Sequence, residues 1–172
     1  DLHKEYRRQR QMCIRDRLGG AAKNVIAIAA GVTIGAGVGE NARAALVTRG
    51  LAEISRLAQA LGGDAVTVSG LSGMGDLLLT CTGSSSRNFR VGRALGEGLS
   101  PTDAENAAGG VAEGVATSRA LTELARRHKV SVPIMDAVAE IVTGRALLKD
   151  LMAQLLARPS GPEVKKAVLF KG

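Results

Sequence analysis

Apolar positions along this chain recur mainly at helical spacing. The stretch Leu18-Gly19-Gly20-Ala21-Ala22-Lys23-Asn24-Val25-Ile26-Ala27-Ile28-Ala29-Ala30-Gly31 is small or apolar almost all round. Lys23-Asn24 is the only polar interruption of these fourteen residues, and the pattern predicts a buried helix from Leu18 to about Val38. The glycines of its second half, Gly31, Gly35, Gly37 and Gly39, let backbones approach or bend the helix. They do not make a dinucleotide loop, which needs G-x-G-x-x-G after a strand, whereas here the spacing is G-x-G-x-G after a helical run. Glu40 to Leu61 is strongly amphipathic, with Leu46, Gly50, Ile54, Leu57 and Leu61 on one face and Gly62-Gly63 as its stop. Arg43, Arg49, Glu53, Arg56 and Gln59 then fall mostly on the solvated face. Asp64 to Val68 reads as a linker.

Further along, a short helix is predicted through Leu77 to Thr80 and another from Asn88 to Gly96, with Arg90 and Arg93 solvated. Ser100-Pro101-Thr102-Asp103 carries a Ser cap, Pro at the first helical position and an acid at the third. Val111 to His128 is amphipathic, with Val115, Leu121 and Leu124 inward. Pro133 opens a helix ending near Thr143, and a last helix spans about Ala146 to Ala157. The sum is an all-α chain of six to eight helices with no convincing strand, in which residues 18–158 form one helical domain and residues 159–172 a loose tail.

Composition adds a charge argument. The formal net charge is +7, which on its own suggests nucleic acid or an anionic substrate. Much of it sits in residues 1–17, where Lys4, Arg7, Arg8, Arg10, Arg15 and Arg17 outnumber Asp1, Glu5 and Asp16. This segment is unlike the rest and resembles the translated read-through of a sequencing adapter, so it is expected to be non-native, disordered or marginally helical. The competing reading is a basic nucleic-acid-binding arm. Cys13 and Cys81 have no CxxC spacing and read as free thiols in a reducing cytosol. There is no metal-ligand cluster and no catalytic triad. The run from Val25 to Val38 suits a core helix better than a membrane span.

Two stretches carry candidate chemistry. A lysine is rarely fully buried unless paired, and burial lowers its pKa, so that it titrates nearer neutrality and can donate and accept protons; otherwise Lys23 simply reaches from a helix end to water. In SGLSGMGDLLLTCTGSSSRN, from Ser69 to Asn88, Asp76 and Thr80 are four apart and share a helix face. The glycine-rich turn, the Ser run and Arg87 suit a small anion such as phosphate, through backbone N–H groups, hydroxyls and a bidentate guanidinium. A flexible loop with Asp76 capping a helix explains the same residues.

Taken together, LGGAAKNVIAIAAG, NARAALVTRGLAEISRLAQALGG, GLSGMGDLLLTCTGSSSRN and VAEGVATSRALTELARRHKVSVPI resemble the C-terminal domain of bacterial NAD(P)-dependent glycerol-3-phosphate dehydrogenases. The resemblance runs from about Leu18 to about Arg158. It implies an all-helical substrate domain of the 6-phosphogluconate-dehydrogenase-like type. It also implies interconversion of dihydroxyacetone phosphate and sn-glycerol 3-phosphate for phospholipid synthesis in the cytoplasm. By the resemblance, Lys23 is the catalytic lysine, and Asn24, Asp76 and Thr80 line the substrate site. Ser86, Arg87 and Asn88 match the phosphate contacts, while Arg87, Val111 and Glu113 match positions that touch NAD or NADP. The family's Rossmann domain, which holds most of the dinucleotide, is missing, so the chain alone is expected to be inert. A homodimer is compatible with the family; nucleic-acid binding and membrane insertion are not expected. The alternative is a stand-alone basic helical module that binds nucleic acid or a protein partner.

Overall fold

A computed structural model describes residues 2–63, 70–83 and 85–145. Among them are seven helices and no strand: α1 (Leu2–Gly35), α2 (Glu40–Ala60), α3 (Leu71–Thr82), α4 (Arg87–Gly96), α5 (Pro101–Ala107), α6 (Glu113–Arg127) and α7 (Pro133–Val142). The expected linker over 64–68, residue Ser84, the last helix near 146–157 and the tail lie outside the described residues.

Helix α1 is the axis of the fold, packing against α2, α3, α4, α6 and α7. Val25, Ile26, Ile28 and Val32 have almost no exposed surface, and full burial of such side chains contributes roughly 1.5–3 kcal/mol each. The stretch Leu18–Gly35 is long and apolar enough to cross a membrane, but 61% of it is buried inside the protein, as befits a core helix. One expectation changes here: α1 does not begin at Leu18. Its backbone is helical from Leu2, because Leu2 to Arg17 contains no Gly or Pro and is rich in straight-chain residues that propagate a helix already nucleated beside it.

The tightest packing joins α1 to α4. Both carry glycines four apart, Gly31/Gly35 and Gly92/Gly96. A Cβ on Gly31 would stand 2.1 Å from the Phe89 carbonyl oxygen, and one on Gly35 2.1 Å from that of Arg93. Reciprocally, a Cβ on Gly92 would stand 1.9 Å from the Ile28 oxygen, and one on Gly96 2.5 Å from that of Val32. Each turn forward on α1 meets a turn forward on α4, so the two helices run parallel in backbone contact. Their register puts Asn24, one turn before Ile28, level with Asn88, one turn before Gly92.

Two further expectations are corrected. The helix anticipated at Leu77 starts at Leu71, so Gly73 and Gly75 are helical and form no anion-binding turn. Glu53, assigned to the solvated face, is 2% exposed. Its carboxylate accepts N–H bonds from Ile134 (2.8 Å) and Met135 (3.2 Å), so a side chain of α2 caps the first turn of α7. Burial pushes its pKa up to about 7, against the opposing pull of those N–H groups and of Arg56. The cap predicted at Ser100 is present: its hydroxyl accepts from the Asp103 N–H at 3.2 Å.

Candidate active site

The site is built where α3, α4 and α6 meet the middle of α1. Lys23 is not buried; its side chain is 28% exposed, and its Nζ donates to Asp76 Oδ2 in an ion pair. Helix α3 has three sides. Leu77 and Cys81 are buried, Asp76 turns toward Lys23, and Met74, Leu78 and Leu79 stay exposed, Leu79 by 74%. Asp76 and Thr80 share a face as their spacing predicts. The Thr80 hydroxyl donates to the Asp76 backbone carbonyl at 2.7 Å rather than to a site group.

The next residue, Asn24, donates from Nδ2 to Glu113 Oε2 at 3.0 Å. Glu113 opens α6, and Gly114 behind it lies so near α1 that a Cβ there would be 2.7 Å from the Asn24 carbonyl oxygen. The Gly114 N–H donates to Asn88 Oδ1 at 2.9 Å. Asn88 is 8% exposed, and no described residue accepts from its Nδ2, so a nearly buried amide keeps donors to spare. Arg87 donates from Nη1 to the Val111 carbonyl at 3.2 Å, which leaves most of its guanidinium N–H groups unused. Ser86 caps α4, its hydroxyl accepting from the Phe89 N–H at 3.3 Å.

The expected site residues therefore form one connected set. It runs from Asp76 to Lys23, on to Asn24 and Glu113, through Gly114 to Asn88, and from Arg87 to Val111. Ser86 and Thr80 are attached at its edges. The N-termini of α4 and α6 converge on it, adding the positive ends of two helices and their spare N–H groups to Lys23 and Arg87. Such a set suits a phosphorylated ligand, with a proton donor held by a carboxylate on one side. Arg87, the 68%-exposed Val111 and Glu113 make an open rim beside it. No three potential metal ligands cluster among the described residues.

Sequence reasoning overlooked two residues of this region. Gly114 is the pivot that lets α6 touch α1, and its only signal was its place directly after Glu113. Arg90 is exposed as expected, yet it also donates to the Ala108 carbonyl at 3.0 Å and steadies the loop that leads to Val111.

Comparison with known proteins agrees with this architecture. Residues 16–153 match the family described as NAD-dependent glycerol-3-phosphate dehydrogenase C-terminus. A glycerol-3-phosphate dehydrogenase [NAD(P)+] of Gluconobacter oxydans is 56% identical over 83% of this chain and 44% of its own length. One from Maricaulis maris is 52% identical over 83% of the chain and 43% of its length. The crystal structure of glycerol-3-phosphate dehydrogenase from Coxiella burnetii superposes with a TM-score of 0.78 at 42% identity, covering 82% of this chain and 43% of that one. The Saccharomyces cerevisiae enzyme superposes with a TM-score of 0.70 at 31% identity, covering 80% and 40%. The chain thus spans less than half the length of the relatives it matches, and it belongs to the family of NAD-dependent glycerol-3-phosphate dehydrogenases, as their C-terminal domain.

Proposed function

We propose that this chain is the substrate half of an NAD(P)H-dependent enzyme that interconverts dihydroxyacetone phosphate and sn-glycerol 3-phosphate. The observation that carries the reading is the set of contacts Lys23–Asp76, Asn24–Glu113, Gly114–Asn88 and Arg87–Val111, joined through residues adjacent in the chain. When bound, the reduced nicotinamide supplies the hydride. The residues of this chain do the rest. Lys23 gives a proton to the carbonyl oxygen as it becomes an alkoxide, and takes one back in the reverse direction. Asp76 holds the ammonium in place. Arg87, Asn88 and Ser86, with the α4 N-terminus, hold the phosphate, so that binding energy far from the carbonyl orients the reacting carbon. Asn24 and Thr80 line the site, while Arg87, Val111 and Glu113 face the dinucleotide.

Residues 18–158 are the working domain, and the exposed apolar side of α3 meets the dinucleotide-binding part of the enzyme. A cytoplasmic location suits this activity. A homodimer suits it, and no nucleic acid or membrane is needed for its activity.

The test is NADH oxidation with dihydroxyacetone phosphate, by the chain alone and by the same residues joined to a dinucleotide-binding domain. The chain alone should be inert and the joined protein active. Lys23→Met in the joined protein should lower kcat by about a thousandfold. Activity of the chain alone would overturn the division of labour. A Lys23→Met variant close to the parent in kcat would remove the lysine from the chemistry.

A further inference from the structure

Glu113 stands at the rim, where the family resemblance makes it a dinucleotide contact. Its geometry shows a second commitment. Oε2 accepts from Asn24 Nδ2 at 3.0 Å, across two helices that are far apart in sequence. No described residue donates to Oε1. An amide on its own turns freely about its last torsion and can present either its oxygen or its nitrogen to a ligand. A carboxylate accepts only, so a carboxylate at this distance fixes the nitrogen toward itself and the Asn24 oxygen away from it. The two backbones lie close together: α6 touches α1 through Gly114, beside the Asn24 carbonyl. Asn24 follows Lys23 on α1, and with its nitrogen committed to Glu113 its Oδ1 is left as an acceptor for a hydroxyl.

We propose that Glu113 is a positioning residue that acts through Asn24 on the triose phosphate, orienting the Asn24 oxygen to accept from the substrate's hydroxyl group. This rests on the functional reading above. In the complete dehydrogenase, Glu113→Ala should raise the KM for dihydroxyacetone phosphate by about tenfold, as loss of one oriented hydrogen bond implies. The Kd for NADH, read by fluorescence without substrate, separates this effect from the loss of Glu113 as a dinucleotide contact. Glu113→Gln has lost the charge but keeps an oxygen that accepts from Asn24, and should recover most of the KM. If Glu113 acts through Asn24, adding Glu113→Ala to Asn24→Ala should change the KM by less than about twofold.

A rise in the NADH Kd with the triose phosphate KM unchanged would overturn the proposal. So would a Glu113→Gln variant as impaired as Glu113→Ala, or full additivity of the two alanine variants. An unmutated complete protein inactive toward dihydroxyacetone phosphate would instead sink the functional reading itself.

Discussion

The contact between α1 and α4 can be tested with one methyl group. Gly92→Ala places a Cβ 1.9 Å from the Ile28 carbonyl oxygen. A carbon and an oxygen rest no closer than about 3.3 Å, so the helices must part by about 1.4 Å. Both sides of the clash are helix backbone, and no rotamer can relieve it. That puts the strain near the upper end of overpacking costs, about 3 kcal/mol. Alanine recovers about 1 kcal/mol as the better helix former. The net loss is then about 2 kcal/mol, or roughly 5 °C in Tm for a domain of this size. A shift of α4 also drags Asn88 away from Gly114, so the phosphate end of the site should loosen together with the fold. Gly20→Ala is the control: it lies on α1 with nothing within 4 Å of its added Cβ, and should be neutral or stabilising by up to about 1 kcal/mol. Urea unfolding of both variants beside the parent decides the matter. Helix propensity alone predicts that both are stabilised. A Gly92→Ala protein as stable as Gly20→Ala would refute the close-packing argument and the register drawn from it.

Other consequences can be measured separately. Glu53 titrates near 7 when folded against 4.5 as its reference value, so its contribution is present below pH 4.5, falls as pH rises to about 7, and is level above that. The full interval amounts to about 3 kcal/mol; urea unfolding between pH 5 and 8 should show most of it in the parent and not in Glu53→Gln, and identical pH profiles would refute it. Cys81 is buried and free, its thiol pushed up to about 12 by burial. It should resist iodoacetamide at pH 8 in the folded protein and react once unfolded, and rapid labelling of the native protein would contradict this. Ser100→Ala removes the acceptor for the Asp103 N–H and should cost about 1 kcal/mol in chemical denaturation.

Periodicity made most of the helices legible, and cap chemistry located some of their ends. Gly62-Gly63 after α2, Ser100-Pro101 before α5 and Pro133 at the start of α7 each act through the backbone of their own segment, so local sequence suffices to read them. The start of α3 was missed because Gly73 and Gly75 weaken a helix locally, whereas burial of Leu77 and Cys81 against the core rewards it. Glu53 was misread although it lies on the same stripe as Leu46, Gly50 and Leu57. An acid on an apolar stripe has no local explanation, since the N–H groups it caps are supplied by α7, over eighty positions later.

By itself, the sequence determined the class of fold, the order of the helices and the identity of the chemical groups, because propensity, apolar period and capping are properties of neighbouring residues. The family resemblance supplied the expected role of each site residue. Tertiary structure decided which of those groups meet. Lys23 pairs with Asp76, Asn24 with Glu113, and Asn88 with Gly114, all partners distant along the chain. The last two pairs are brought together because glycines let α4 and α6 lie against the backbone of α1. Whether a lysine in an apolar helix is buried, paired or open to water depends on what packs beside it, and only the assembled helices settle that.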